Sequence, residues 1–219
     1  MSLYHKLADG TILSYDINQN GKIGIDGVMN TTDILRIPKY IDDLPVDEIY
    51  YRAFARCGFK KVILPNSLTF IASQAFAECA NLKEINLPKS LARIRSEAFL
   101  KCESLESIEI PKHVNFETGV FKDCHNLQKA KINSARILPY QTFQNCGLKE
   151  LYLPDNLSYI DDDALSGIPK RLKIFADNNL YLEEYSREHG YRYSYHSELN
   201  DFLSKVSDSV AEFDLSKGG

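Results

Sequence analysis

Five phenylalanine–cysteine pairs recur along the chain at a nearly fixed interval: Phe54/Cys57, Phe76/Cys79, Phe99/Cys102, Phe121/Cys124 and Phe143/Cys146. The Phe-to-Phe steps are 22, 23, 22 and 22 residues, and a degenerate sixth copy follows at Ala164-Leu165 with Ile168 in the cysteine slot. A constant period in this range predicts a solenoid, in which one unit winds repeatedly about an axis and buries its apolar side only against its neighbours. One thiol per copy at an equivalent point is poor geometry for bridging, since stacked equivalents point the same way. The cysteines therefore read as small buried apolar groups with a weak donor, not as a disulfide framework or metal ligands.

The copy at residues 82–102 shows how one coil is built. It reads Leu82-x-x-Ile85-x-Leu87-Pro88, then Leu91-x-x-Ile94, then Ala98-Phe99-x-x-Cys102. Ile85 and Leu87 are two apart, so both face inward on a strand while Glu84 and Asn86 face out. Pro88 lacks a backbone donor and ends that strand. Leu91 and Ile94 point inward from a second, shorter extended segment, and Ser96 to Cys102 reads as one or two helical turns with Phe99 in the core. The cycle repeats with strands ending near Ile37, Leu64, Leu87, Ile110, Ile132, Leu153 and Ile174. Seven parallel strands at about 4.8 Å spacing would make one sheet roughly 29 Å long.

The string Ala75-Phe76-Ala77-Glu78-Cys79-Ala80-Asn81-Leu82-Lys83-Glu84-Ile85-Asn86-Leu87-Pro88 resembles the BspA-like class of leucine-rich repeats. The resemblance covers roughly residues 34–175, and Ile41-Asp42-Asp43-Leu44-Pro45-Val46 is similar to the longer loop that this class often carries in its first repeat. Copy four departs with Val120 and Asn133, copy five with Thr142, and copy six loses both Phe and Cys. The resemblance implies a mostly β α/β solenoid. It would be a right-handed superhelix with one parallel sheet and short helical turns in each coil, closed by an N-terminal β-hairpin cap and a C-terminal helical cap.

Both ends of such a stack need lids. Asn20-Gly21 between Thr11–Tyr15 and Lys22–Ile25 is a hairpin signal. Asn179 to His189 reads as a helix stopped by Gly190, and Tyr191 to Tyr195 alternates like a strand. Leu199, Phe202, Val206, Val210 and Phe213 fall at helical spacing and are expected to pack on the cap, the other reading being packing on a second chain. The expected organisation is therefore 1–33 as hairpin cap, 34–175 as about six repeats of 21–27 residues, and 176–219 as C-terminal cap and tail helix.

Sites are less legible. Asp16-Ile17-Asn18-Gln19-Asn20-Gly21-Lys22-Ile23 matches the first half of a calcium loop, but the twelfth position is Gly27 and the hairpin accounts for the same residues, so no metal is expected. The five histidines form no ligand pair, and no nucleophile elbow, phosphate loop or dinucleotide fingerprint occurs, so neither a cofactor nor catalysis is expected. A net charge of −4 gives no reason to expect nucleic acid. No apolar run approaches the roughly 20 residues of a membrane span. The outward strand positions form two rows. One runs Arg36, Ile63, Asn86, Glu109, Lys131, Tyr152, Lys173, and the other Ile34, Lys61, Glu84, Ser107, Lys129, Glu150, Arg171. Exposed sheet faces are where repeat proteins bind. The expected partner-binding face is thus Arg36, Ile63, Glu84, Asn86, Glu109, Lys129, Lys131, Glu150, Tyr152, Arg171 and Lys173, with the tyrosines of the C-terminal cap covering the core. The family resemblance implies a bacterial surface or secreted protein that binds a protein or glycan in adhesion. Export would require a leader upstream of Met1. The other reading is an intracellular interaction scaffold, which reduced thiols suit. A monomer is expected.

Overall fold

The structure, a computed structural model, describes residues 2–195. They wind into a mostly β solenoid of about eight turns, with a single helix near the C-terminal end. Each coil has three sides. The main face carries the Leu-x-x-Ile-x-Leu strands, all parallel, in two sets. Ile34–Arg36, Lys61–Ile63 and Glu84–Ile85 form a three-stranded sheet, and Ser107–Ile110, Lys129–Ile132, Glu150–Tyr152, Lys173–Phe175 and Arg192–Ser194 form a five-stranded one. The expected single sheet is therefore interrupted after the third strand. A second, short face carries the mid-coil pairs, and these are true parallel strands: Phe70–Ile71, Arg93–Ile94 and Asn115–Phe116, then separately Ile137–Leu138 with Tyr159–Ile160.

The third side holds the phenylalanine turns, and it is the one continuous seam. Its turns are tighter than the expected helical segments, closing with bonds such as Cys102 N to Phe99 O at 3.3 Å. The rings of Phe76, Phe99, Phe121 and Phe143 stack at centroid distances of 5.1, 5.3 and 5.6 Å, and all four are fully buried. The residue before each ring is small for a reason visible here. The N–H of Phe54, Phe76, Phe99, Phe121 and Phe143 donates to the carbonyl of Ala75, Ala98, Val120, Thr142 and Ala164 of the next coil, at 2.8–3.0 Å. A bulky side chain in that slot would hold the coils apart.

The cysteines bond in the opposite direction. The thiols of Cys79, Cys102, Cys124 and Cys146 donate to the carbonyls of Phe54, Phe76, Phe99 and Phe121, one coil back, at 2.9, 3.2, 3.1 and 3.0 Å. All five cysteines are free, and Cys57, which has no earlier phenylalanine turn to reach, is only half-buried. Burial pushes the Cys79 thiol up to about 12 and holds Cys102 and Cys146 well above their ordinary range. These three are neutral packing groups with one polar task, as the sequence pattern suggests.

The turns also use backbone that side chains rarely adopt. The residues two before and two after each ring have positive φ, as at Glu97 (59°) and Lys101 (56°), with glycine only at Gly119 and Gly167. Left-handed backbone costs roughly 1–2 kcal/mol for a non-glycine residue. It is offset here by two more bonds to the next coil, Glu97 N to Thr118 O at 3.0 Å and Lys101 N to Lys122 O at 2.9 Å.

Both lids form. Ile12–Ile17 and Ile23–Met29 make the expected antiparallel hairpin, with an additional strand Leu3–Lys6 outside it, and the cap extends the short face by pairing with Leu44–Ile49. Asn18 Oδ1 accepts from the N–H groups of Asn20 and Lys22, so the calcium-like residues serve the hairpin turn. Buried Asp47 ties the cap down through Lys22 Nζ at 3.3 Å and Thr69 Oγ1 at 2.8 Å. At the other end the helix Leu180–His189 is capped by Asn179 and stopped by left-handed Gly190, followed by the strand Arg192–Ser194. The cap tyrosines supply hydroxyls where the next coil would have supplied backbone. Ile160 N–H donates to Tyr181 Oη at 2.7 Å, and Tyr193 Oη donates to Ala176 O at 3.2 Å. Tyr191 Oη lies 3.5 Å from Leu165 O, and Tyr185 stacks on His189 at 3.9 Å. The stripe from Leu199 to Phe213, and His196, lie outside the described residues.

Candidate binding face

Strand register fixes which outward side chains meet. Lys61 lies opposite Glu84, Lys129 opposite Glu150, and Glu109 opposite Lys131. Each of these is an ion pair, at 2.6, 3.0 and 3.2 Å. Cross-strand charge pairs of this kind contribute roughly 0.2–1 kcal/mol each. The centre of the face is therefore a patchwork of opposite charges that largely satisfies itself. Arg36 is exposed and Ile63 half-buried at the N-terminal end of the face, next to half-buried Ile34.

Three of the expected positions are corrected. In the last repeat the true register is Glu150 with Lys173 and Tyr152 with Phe175. Lys173 therefore belongs to the row of Glu150, and Arg171, although exposed, precedes the strand. The cause is the worn sixth copy: without Phe and Cys to count from, the frame slips by two residues. Tyr152, expected on the open surface, is 5% exposed. Its ring stacks on Phe175 at 4.4 Å and its hydroxyl donates to Glu150 Oε2 at 3.1 Å. Burial and the Glu150 carboxylate push its phenol well up. Lys173 Nζ sits 4.7 Å above the Phe175 ring, making a cation–π contact. Phe175 was not among the expected site residues; its signal was an aromatic 23 residues after Tyr152.

Asn86 is also not free. Its amide turns sideways to the second coil, accepting from Leu64 N–H at 3.0 Å and donating to Leu64 O at 3.3 Å. Beyond it the third and fourth coils part. Ser104 N bonds Ala80 O at 3.2 Å and Glu106 N bonds Lys83 O at 3.4 Å, but Glu84–Ile85 and Ser107–Ile110 do not pair. A cleft of about 980 Å³ lies between them. Ile85 and Leu87 are half-buried in its walls, whereas their counterparts Val62, Leu64, Ile108 and Ile110 are 5% exposed or less. Among the described residues no group of His, Cys, Asp and Glu is placed to hold a metal, and no helix is long and apolar enough to cross a membrane.

A parallel strand in every coil, stacked rings on another side and one open face define a leucine-rich repeat solenoid. The BspA-type leucine-rich repeat region matches residues 47–171 in six copies, and the chain belongs to that family. No curated protein matches the sequence. Among solved structures, the chain is similar to a leucine-rich repeat protein of T. pallidum at 25% identity and TM-score 0.57, covering 83% of this chain and 95% of that one. It is similar in fold to a leucine-rich cell surface protein of Faecalibacterium prausnitzii at 21% identity and TM-score 0.58, covering 80% of this chain and 54% of that one. The pneumococcal vaccine antigen PcpA shares the fold at 22% identity and TM-score 0.67, with 87% of this chain and 47% of that one covered.

Proposed function

We propose that this chain is a non-catalytic module that binds a protein or glycan through its main face, within a bacterial surface or secreted protein concerned with adhesion. The observation that carries this reading is the main face itself. The short face is continued by the hairpin cap and the turn side is a backbone seam, while the main face displays registered rows of side chains along the stack. Repeat proteins use such surfaces for extended contacts. An open, wet face is also ill-suited to excluding water from chemistry. The fold is shared with a described cell surface protein and a vaccine antigen, which supports a surface role.

The test is an array of extracellular-matrix proteins and glycans probed with the wild type and with a Glu109→Ala/Lys129→Ala/Lys131→Ala variant. The expected result is saturable capture of a ligand by the wild type. The variant should lose at least about tenfold in affinity, or about 1.4 kcal/mol, while remaining folded, with a melting temperature lowered only by the loss of its two ion pairs, roughly 0.2–1 kcal/mol each. Equal capture by both proteins overturns the assignment of the face.

A further inference from the structure

The interruption of the main sheet is built into an otherwise tight stack. Where Glu84–Ile85 and Ser107–Ile110 part, the same two coils remain locked on their other sides. Phe99 and Phe121 stack at 5.3 Å with planes 9° apart, and Arg93–Ile94 pairs in register with Asn115–Phe116. The cleft is thus a preformed wedge, open only on the face where the side chains are displayed.

We propose that this cleft seats an extended, acidic segment of a partner protein, with an apolar side chain in the gap and backbone bonds to the exposed strand edges. The inference rests on the binding role of the main face and names its chemistry. Three features of the cleft point to that occupant. First, Glu84–Ile85 and Ser107–Ile110 are the outermost strands of their sheets and face each other unpaired. Strand edges present rows of backbone donors and acceptors, and an extended peptide satisfies them by strand addition. Second, the walls are apolar where Ile85 and Leu87 stand half-open beside Pro111. Third, the rim is cationic. Glu84 and Glu109 are already held by Lys61 and Lys131. Lys83, Lys89 and Lys112 are exposed on the lining with no ion pair among the described residues, against Glu106 as the one acid left over. In a chain of net charge −4 this is a local reversal of sign, and charge complementarity of this kind selects partners and steers their approach. A neutral oligosaccharide would use neither the strand edges nor the lysines.

The test uses the full chain and a fluorescein-labelled synthetic peptide, Glu-Val-Asp-Val-Glu-Val-Asp, read by fluorescence anisotropy and amide hydrogen exchange. The expected result is saturable, salt-sensitive binding that slows exchange at residues 85–87 and 108–110. Three changes should each weaken it at least about tenfold: replacing the acids of the peptide by lysine, N-methylating alternate peptide bonds, and the variant Lys83→Glu/Lys89→Glu/Lys112→Glu. Lys101→Ala, on the turn side, should leave binding as it was. The proposal is overturned by absence of saturable binding in the millimolar range, by equal binding of acidic and basic peptides, or by full binding to the charge-reversed variant. Protection of the same amides by maltoheptaose instead of the peptide also overturns it. If the cleft fails these tests while the Glu109/Lys129/Lys131 variant still loses its array ligand, the face stands and only the cleft is refuted.

Discussion

The ring stack lends itself to a quantitative test. Phe99 lies between Phe76 at 5.1 Å and Phe121 at 5.3 Å, with interplanar angles of 6° and 9°. Phe143 has one such neighbour, Phe121 at 5.6 Å. Truncation to alanine would cost about 3–5 kcal/mol at any of these positions, but that mixes lost area with lost ring geometry. Leucine keeps much of the apolar volume and removes the ring. Each aromatic pair contributes about 0.5–1.5 kcal/mol beyond burial, so Phe99→Leu should cost about 1 kcal/mol more than Phe143→Leu, having two pairs to lose instead of one. The decisive measurement is a double-mutant cycle by urea unfolding, followed by far-ultraviolet circular dichroism. Phe76→Leu with Phe99→Leu should show a coupling of about 1 kcal/mol. Phe76→Leu with Phe143→Leu, two rings further along, should add within about 0.3–0.5 kcal/mol. Equal couplings in the two cycles would refute the claim that direct ring contact, and not general burial, knits the coils together.

Alkali should loosen the same seam. The Cys79 thiol is raised from 9.0 to about 12, so the folded chain binds its proton more tightly than the unfolded chain. That stability is intact below about pH 9 and is lost as pH rises towards 12, at up to about 1.4 kcal/mol per pH unit per thiol; a urea midpoint that holds steady from pH 9 to 11 would contradict it. Tyr181→Phe removes the acceptor of Ile160 N–H and should cost about 1–3 kcal/mol, with faster amide exchange at Ile160 as the reporter. A Cβ at Gly147 would stand 2.2 Å from the carbonyl oxygen of His125. Gly147→Ala should therefore destabilise by about 1–3 kcal/mol, and an unchanged melting temperature would show that the coils can part to admit it.

The turn side was legible because every coil asks the same thing of the same slots. A small residue must precede Phe76 or Phe99, and a compact donor must follow three residues later, so the period survives in the letters. The caps were legible for a different reason: Asn20-Gly21, Asn179 and Gly190 are strong local signals that need no partner. The face was legible only in part, because exposure depends on neighbours about 22 residues away. Tyr152 alternates outward as expected, yet Phe175 covers it. The cleft left no mark at all. The copy beside it, Leu82 to Pro88, is among the most regular in the chain, and the parting begins with the Asn86 amide reaching backwards to Leu64. Many of the left-handed positions were equally silent, since Arg52, Glu78 and Lys101 are not residue types that advertise positive φ, unlike Asp123 and Asn145 at equivalent places.

The hydrogen bonds of the turn side run both ways along the axis, with thiols reaching towards the N-terminus and phenylalanine amides towards the C-terminus. Every interior winding therefore offers the same socket above and the same plug below. Whole windings can be gained or lost in evolution between Cys79 and Cys146 with both junctions rejoining like to like, whereas any indel that is not a full period would strand a thiol and an amide together.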